Sequence, residues 1–203
     1  FGFQEIRITD TDVSLADKRL QAWLAEKYQG NMSYLEKNQH LRAHPANLVP
    51  KTIRVITARI DYLAHDTHIK SNLKDRLKAY ISRYALGRDY HKLIRKRLSK
   101  LAKKIEAEIG EFNYRPFSDS APVFEKPLAA KAGVGWMGKN TLIINRKAGS
   151  YFFLGTLYTD LPLPVDDPVT DHCGSCVACI DICPTQAIVA PYKLNASRCI
   201  SYL

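Results

Sequence analysis

Four cysteines late in the sequence have a spacing that binds iron–sulfur clusters. Cys173, Cys176, Cys179 and Cys183 form the pattern C-x2-C-x2-C-x3-C, and Pro184 follows the last of them. In bacterial ferredoxins the first three cysteines of this pattern bind one [4Fe–4S] cluster, and the fourth binds a second. The sequence therefore predicts an iron–sulfur module. A zinc knuckle and structural disulfides are the alternatives.

Zinc explains this pattern less well than iron–sulfur does. Structural zinc sites usually combine two C-x2-C pairs, or one pair with histidines at set distances. His172 adjoins Cys173 but completes neither arrangement. Two all-cysteine clusters need about eight thiolates, whereas the sequence contains five cysteines, the fifth being Cys199. We therefore expect the remaining ligands beyond Leu203, in a longer protein of which this chain is an interior piece.

Three glycines upstream of the cysteines match two nucleotide-binding patterns. Gly133, Gly135 and Gly138 fit G-x-G-x-x-G, and the stretch 133–139 also fits G-x4-G-K. Both patterns bind phosphate only where a strand precedes the glycines and a helix follows them. Here the order is reversed, and Asn140 replaces the Ser or Thr that would bind magnesium. We therefore predict tight turns and close backbone approach to a large planar ligand.

Asp119, in the sequence F-S-D-S-A-P, is the candidate acid. An Asp ahead of Pro122 is often an ordinary helix cap or turn residue. The alternative is a catalytic group, because a buried Asp can be held protonated and can then donate its proton. Tyr90 is expected in the core. Its neighbour His91 either lies on the surface at a helix end or lines a cofactor cleft.

The composition is that of an ordinary globular protein with a strong positive charge. Of the 203 residues, 46% are hydrophobic and 25% are charged, and the net charge is +10. Such a charge favours a polyanionic partner such as nucleic acid. No apolar run approaches the ~18 residues of a membrane span. Because cluster-type cysteines favour a reducing compartment, we expect a cytoplasmic protein with no membrane partner.

Hydrophobic periodicity and turn residues predict alternating strands and helices. Strands are predicted at 3–8, 52–60, 141–145 and 151–157. Helices are predicted at 15–28 with Ser14 as N-cap, at 34–38, at 73–84, at 89–109 and in a short segment ending near 131. The helix at 89–109 has an apolar stripe and a Lys/Arg-rich side, which is either solvated surface or an RNA contact. The Pro/Asp-rich stretch 161–171 is the predicted domain boundary, after a mixed α/β or α+β domain.

Five sequence blocks, taken together and in order, indicate a family. They are S-R-Y-A-L-G-R-D-Y-H-K at 82–92, D-S-A-P-V-F-E-K-P-L-A at 119–129, A-G-V-G-W-M-G-K-N-T-L at 132–142, the cysteine motif at 173–184 and R-C-I-S-Y-L at 198–203. This series resembles the epoxyqueuosine reductases, cobalamin-dependent iron–sulfur enzymes that complete queuosine synthesis in bacterial tRNA. The resemblance covers essentially the whole chain, and five blocks in order are far more specific than any one.

The resemblance implies a two-part architecture with two kinds of cofactor. Residues 1–165 would form a nitroreductase-like domain that binds cobalamin, and 166–203 the first part of a ferredoxin-like double-cluster domain. Electrons from an unidentified low-potential donor would pass through two [4Fe–4S] clusters to the cobalt. The implied reaction reduces epoxyqueuosine at the wobble position of tRNA to queuosine. A monomer is expected, and a helical-repeat region that grips the tRNA would lie beyond Leu203.

The resemblance also assigns roles to individual residues. Asp119 would be the proton donor that makes the epoxide oxygen a leaving group. The cluster ligands would be Cys173, Cys176 and Cys179 for the first cluster, and Cys183 and Cys199 for the second. The residues that match the family's cobalamin contacts are Arg42, Ser82, Asp119, Ile143, Leu154 and Ser201. We expect several of these contacts to be made by the backbone.

Two other functions fit parts of the sequence. A reductive dehalogenase-like enzyme would pair cobalamin with two clusters and act on a small molecule, but the positive net charge argues against it. A ferredoxin-type electron carrier would need neither the large first domain nor the blocks around Asp119 and the glycines. The sequence therefore favours the tRNA-modifying reductase.

Overall fold

An antiparallel sheet covered by helices forms the centre of the fold. The computed structural model describes residues 1–63 and 69–202. Its strands are β1 (Glu5–Thr9), β2 (Arg54–Asp61), β3 (Tyr114–Phe117), β4 (Trp136–Met137), β5 (Ile143–Ile144), β6 (Phe152–Thr159), β7 (Ile188–Ala190) and β8 (Lys193–Leu194). Its helices are α1 (Ser14–Ala25), α2 (Tyr34–Lys37), α3 (Gln39–Ala43), α4 (Pro45–Leu48), α5 (Ile69–Lys74), α6 (Tyr90–Ile109), α7 (Glu125–Lys131) and α8 (Ala178–Asp181), with 3₁₀ helices at Arg83–Ala85 and Ala196–Arg198.

The main sheet has the strand order β1–β2–β6–β3, and every neighbouring pair is antiparallel. β2 and β6 pair along their whole length, from Arg54 opposite Thr159 to Asp61 opposite Phe152. Six consecutive residues of β2 are buried, so both faces of this strand are covered. The predicted mixed helix-and-strand class is confirmed, in its α+β form. Among the described helices, none is both long enough and apolar enough to cross a membrane.

Helix α6 packs on the sheet through the apolar stripe that its sequence predicts. Ile94, Leu98 and Ala102 are fully buried and contact the residues of β2 and β6 in one core cluster. A Cβ added at Gly155 of β6 would collide with Ile94, so the glycine lets the helix approach the sheet closely. The stripe predicted from the sequence runs from Tyr90 to Ile109, but its last member is not packed, since Ile109 is 60% exposed.

The prediction of a helix at 73–84 is wrong. Helix α5 ends at Lys74, and no helix is present at 75–82. The carboxylate of Asp75 accepts a hydrogen bond from the N–H of Leu77 at 3.0 Å, a local turn that competes with helical hydrogen bonds. Leu77 is also 96% exposed. The segment therefore has no buried apolar face to stabilise a helix.

The start of α1 and the presence of strand β3 also differ from the sequence-based expectation. Val13, not Ser14, is the N-cap of α1, and the carboxylate of Asp12 accepts a hydrogen bond from the N–H of Ser14 at 3.0 Å. Strand β3 is absent from the predicted elements. It contains Pro116, which argues against a central strand, but β3 lies at the edge of the sheet, where proline is tolerated.

The Pro/Asp-rich stretch 161–171 contains no helix or strand, as predicted, yet it is fixed to the first domain. The carboxylate of Asp166 accepts from the N–H of Ile8 at 2.7 Å, and its own N–H donates to the carbonyl of Ile8 at 2.9 Å. The predicted domain boundary after residue 165 therefore falls in a segment that runs along β1. Leu203, the last residue of the stretch assigned to the predicted second domain, lies outside the described residues.

Candidate active site and cysteine module

A cavity of about 980 Å³ is lined mainly by α1, α7 and the start of β6. This volume is at the upper end of the ~300–1,000 Å³ range of small-molecule sites. The aromatic side chains in its wall are Trp23, Tyr34, Tyr90, Phe124, Phe152, Phe153 and Tyr192. A cavity of this size with aromatic walls suits a large, flat cofactor.

Asp119 lies at this cavity, in a left-handed turn between β3 and α7. Its φ of 62° is uncommon for a residue with a Cβ. The backbone N–H of Asp119 donates to both carboxylate oxygens of Glu125, at 3.0 Å each. Asp119 is not the N-cap of α7, which is Phe124. Its side chain is 62% exposed, so the turn presents the carboxylate to the cavity opening and does not bury it.

The first turn of α6 supplies the partners of the Asp119 carboxylate. The Tyr90 hydroxyl donates a hydrogen bond to it, and Nε2 of His91 lies 3.3 Å from the same oxygen. Asp89, the N-cap of α6, accepts from the backbone N–H of His91 at 2.9 Å and lies 2.9 Å from its Nδ1. Burial and the charge of Asp119 raise the pKa of Tyr90, so its hydroxyl remains a donor. His91 thus bridges two carboxylates, an arrangement that can pass a proton to Asp119.

Glu125 is the second carboxyl group of the site and is only partly exposed. Burial raises the pKa of Glu125 to about 8, and the negative charge of Asp119 acts in the same direction. The N–H of Asp119 opposes both effects. Glu125 is therefore mostly protonated at neutral pH. The two carboxyl groups thus have different environments, with Asp119 facing the cavity opening and Glu125 facing the backbone of the turn.

Arg42 is buried in the cavity wall and is 8% exposed. Its Nη1 donates to the carbonyl of Leu35 at 3.3 Å. Burial lowers the pKa of Arg42, and within the described residues no carboxylate forms an ion pair with it. A buried guanidinium without a counter-ion favours a ligand with anionic or strongly polar groups. This observation fits cobalamin, which carries amide groups and a phosphate.

The cavity brings together half of the residues that the resemblance assigns to cobalamin, namely Arg42, Asp119 and Leu154. The other three lie outside its lining. Ser82 is exposed ahead of the 3₁₀ helix at Arg83–Ala85, Ile143 is buried in β5, and Ser201 is exposed. The roles of all six residues stay predictions.

The glycine segment forms the β4–β5 hairpin and not a nucleotide loop. Helix α7 precedes it and β5 follows it, which is the predicted order. A Cβ added at Gly133 would collide with the carbonyl of Asp167, and one added at Gly135 would collide with the carbonyl of Ile144. The close backbone approach predicted from these glycines is therefore made to the chain itself.

The cysteines lie in a series of short turns. The N–H of Cys176 donates to the carbonyl of Cys173 at 2.8 Å, Cys179 lies in α8, and Cys183 follows that helix. Cys199 directly follows the 3₁₀ helix at Ala196–Arg198. All five cysteines are free thiols, so the structure does not support the disulfide alternative.

Cys183 has the surroundings of a thiolate ligand. Its Sγ accepts a hydrogen bond from the N–H of Ala187 at 3.2 Å. Backbone N–H groups of Ile188, Ala187 and Thr185 lower the pKa of this thiol, and hydrogen bonds to sulfur are typical of iron–sulfur ligands. Among the described residues, no three His, Cys, Asp or Glu side chains converge on a position for one metal ion.

A buried lysine connects the cysteine loop with the cavity wall. The Nζ of Lys139 donates to the carbonyls of Gly174 at 2.6 Å and Cys176 at 2.8 Å. The carbonyl of Lys139 accepts from the N–H of Tyr192 at 3.0 Å. Tyr192 and Leu194 also line the cavity. The cysteine module therefore forms part of the wall of the cavity.

Sequence reasoning misses Glu125 and leaves His91 undecided. Tyr90, which is predicted in the core, packs against the core cluster, stacks on Phe153 at a centroid distance of 4.1 Å and also lines the cavity. Glu125 lies in the same sequence block as Asp119, six residues later, and that block is its only signal. The hydrogen bonds that join the two residues depend on the turn, which spacing alone does not predict.

Two protein-family models match the chain. Residues 42–120 match the family described as epoxyqueuosine reductase QueG, DUF1730. Residues 172–203 match a 4Fe–4S double cluster binding domain. The second match confirms the iron–sulfur module predicted from the cysteine spacing.

Known relatives match the chain from end to end. An epoxyqueuosine reductase of Pseudomonas aeruginosa is 58% identical over 203 residues, which are 100% of this chain and 56% of the relative. An epoxyqueuosine reductase solved with an epoxyqueuosine-modified tRNA-Tyr stem loop has a TM-score of 0.86 at 29% identity, covering 100% of this chain and 53% of that one. A Bacillus subtilis epoxyqueuosine reductase, solved with its catalytic aspartate loop swung out of the active site, has a TM-score of 0.84 at 29% identity, with the same coverage. The chain spans about half the length of these relatives.

Proposed function

The chain belongs to the epoxyqueuosine reductase family, and on this basis we propose that it forms the catalytic part of an enzyme that reduces epoxyqueuosine in tRNA to queuosine. One observation carries the proposal beyond family membership. Asp119 lies at the opening of a cofactor-sized cavity, with Tyr90 and His91 directing its carboxylate. A small-molecule reductive dehalogenase is not favoured by the matches.

Cobalamin is the cofactor proposed for the cavity. Arg42 would hold one of its polar groups, and the aromatic walls would contact the corrin ring. When bound, cobalamin supplies the two-electron chemistry at the epoxide carbon. Leu194 and Tyr192 place the cysteine module against the same cavity, which favours short electron transfer into it.

The contribution of this chain to the chemistry is a proton at the epoxide oxygen. Removing that oxygen as water consumes two electrons and two protons. Asp119 would donate the first proton as the C–O bond breaks, which makes the oxygen a leaving group. His91, with Nε2 at 3.3 Å, would return a proton to Asp119 from solvent, while Asp89 orients the imidazole. Tyr90 would fix the carboxylate by donating to it.

Electrons are proposed to arrive through two [4Fe–4S] clusters, from a low-potential donor. The proposed ligands are Cys173, Cys176 and Cys179 for the first cluster, with Cys183 and Cys199 contributing to the second. The free thiols and the tRNA substrate both favour the reducing cytoplasm as the site of the reaction.

The test is anaerobic turnover by the full-length protein that contains this chain, reconstituted with iron, sulfide and cobalamin. Epoxyqueuosine-containing tRNA is supplied with a low-potential chemical reductant, and its nucleosides are analysed by mass spectrometry. We expect conversion to queuosine that requires cobalamin. In parallel, EPR of added cob(II)alamin should change to the base-off form, which loses the nitrogen splitting of the lower ligand.

The outcomes separate the competing functions. An unchanged cob(II)alamin spectrum in folded, cluster-loaded protein would remove cobalamin and leave the electron-carrier interpretation. A base-off spectrum without conversion of the tRNA nucleoside would keep the cofactor and reject the substrate.

A further inference from the structure

Five lysines form a row on the solvent side of α6. They lie at positions spaced 4, 4, 3 and 1, and all are exposed, namely Lys92, Lys96, Lys100, Lys103 and Lys104. Lys96 and Lys100 each lie two residues, about 200° of helical rotation, from the buried Ile94 and Leu98. The lysine row and the packed apolar stripe therefore occupy opposite sides of the helix. At 1.5 Å per residue the row extends for about 18 Å.

Four of the five charges of this row have no ion-pair partner within the described part of the chain. Lys92 lies 3.9 Å from Asp89, with its side chain 82% exposed, and no carboxylate within residues 1–63 and 69–202 forms an ion pair with the other four lysines. Like charges at i and i+4 repel each other. Some lysines outside the row are paired, as Lys131 is with Asp10 and Lys193 with Glu26. The lysine row is thus a concentrated patch of positive charge.

The same helix leads to the candidate acid. The first turn of α6 supplies Tyr90 and His91 to Asp119. One turn later, Nη1 of Arg95 lies 3.5 Å from the hydroxyl oxygen of Ser120, the residue after Asp119. The lysine row therefore begins beside the active-site turn and extends away from it.

From these observations we infer that the lysine row of α6 binds the phosphate backbone of the substrate RNA next to the nucleotide that enters the cavity. The inference rests on the proposed function, because that function requires an RNA nucleotide at Asp119. Lysines act as point charges on phosphates and position a nucleic acid without reading its sequence. The row is suited to holding the RNA in register while the modified base is reduced.

The test compares two double variants of the full-length protein that lose the same charge. Lys96→Gln/Lys100→Gln removes two members of the row, and Lys27→Gln/Lys147→Gln removes two exposed lysines elsewhere. Binding of a fluorescein-labelled tRNA anticodon stem–loop is measured by anisotropy at several salt concentrations. We expect the plot of log affinity against log salt to lose about one unit of slope per row lysine removed. The control pair should keep the wild-type slope, and KM for tRNA should rise only in the row variant.

Two further measurements separate folding and function from the inference. Lys96→Arg/Lys100→Arg keeps the charges and should restore the wild-type slope, and circular dichroism checks that α6 is retained. If the Gln variant and the control pair have the same salt-dependence slope and the same KM, the inference that the row binds RNA is rejected. The lysine row is then only a solvated face of α6. If wild-type protein fails to convert the tRNA nucleoside but its RNA binding still depends on the lysine row, the proposed reaction is rejected and the inferred RNA-binding role of the row is supported.

Discussion

Asp119, in the turn before α7, and Glu125, the first residue of α7, differ in how their carboxyl groups are held. The carboxylate of Asp119 faces the cavity opening and accepts a hydrogen bond from Tyr90. Glu125 points back at the turn and accepts the N–H of Asp119. A left-handed φ at a non-glycine residue persists only where its surroundings fix it. Glu125 is the residue that fixes it here, so we regard Glu125 as a positioning residue.

Replacing Asp119 by Asn should abolish turnover without removing the cofactors. The amide oxygen can still accept from Tyr90, but the side chain no longer has an acidic proton for the epoxide oxygen. We expect conversion of epoxyqueuosine to fall by about 10²–10⁴-fold, the usual contribution of a general acid. The measurement is nucleoside analysis under single-turnover conditions, with iron and cobalamin content as controls. Near-normal conversion by a cofactor-loaded variant would rule out the acid role.

Glu125→Gln should change how stability depends on pH. The pKa of Glu125 rises from 4.5 to about 8 on folding, so the unfolded chain loses this proton at lower pH than the folded one. Wild-type stability should therefore decline between about pH 4.5 and pH 8 through this group, and the variant should lack that decline. Tm measured at pH 5 and pH 8 gives the comparison, with the exposed Glu36→Gln as control. Equal Tm differences in wild type and Glu125→Gln would contradict a raised pKa of Glu125 in the folded protein.

At the scale of elements, α6 and β6 determine the geometry of the site. The helix lies on the sheet over Gly155, its first turn carries Tyr90 and His91, and the start of β6 provides Phe153 and Leu154 to the cavity. The packing of one helix on one strand thus positions side chains from both. A displacement of α6 would move the partners of Asp119 away from the cavity.

Gly155→Ala tests this packing. The added Cβ would meet Ile94 and, at 3.0 Å, Leu98. We expect a loss of about 1–3 kcal/mol in the free energy of unfolding, as is usual for overpacked cores, measured by urea denaturation. In an Ile94→Ala background the same change should cost clearly less, because the clashing side chain is gone. An equal loss in the free energy of unfolding in both backgrounds would show that Gly155 is needed for the conformation of the strand and not for the close packing of α6.

The elements that could be predicted are those whose signal is local. Helix α6 and strand β2 follow from apolar periodicity, and the cluster module follows from cysteine spacing. Strand β3 could not be predicted, since Pro116 is disfavoured in strands and its place at the sheet edge is a tertiary fact. The helix predicted over 75–82 is wrong for the opposite reason. The composition of this segment favours a helix, but the segment has no surface to pack against. Likewise, the contact of Glu125 with Asp119 exists only once the turn has formed.

For the molecule as a whole, the cavity and the cysteine module form one structure. Lys139 donates to two carbonyls of the cysteine loop, and the indole Nε1 of Trp23 donates to the carbonyl of Leu194 at 2.6 Å. Residues 188–194 therefore contact both the first domain and the cavity. We therefore expect the packing of the cysteine module and the shape of the cavity to depend on each other.

Lys139→Met is expected to loosen the cysteine loop. The methionine fills similar space but leaves two carbonyls without their buried donor, which is costly. In reconstituted full-length protein we expect faster loss of iron to a chelator than in wild type. Lys147→Met, on an exposed hairpin turn, is the matched control. The same rate of iron loss in both variants would mean that Lys139 does not hold the loop.

The stretch 161–171 has a further consequence for the free edge of the sheet. Strand β1 is an edge strand, and such edges can recruit strands from other copies and start aggregation. The carboxylate of Asp166 accepts a hydrogen bond from the N–H of Ile8, and the N–H of Asp166 donates one to the carbonyl of Ile8. The prolines at 162, 164 and 168 have no N–H with which to continue a ladder. The segment that resembles a flexible linker therefore covers part of the β1 edge, where we expect it to hinder edge-to-edge association.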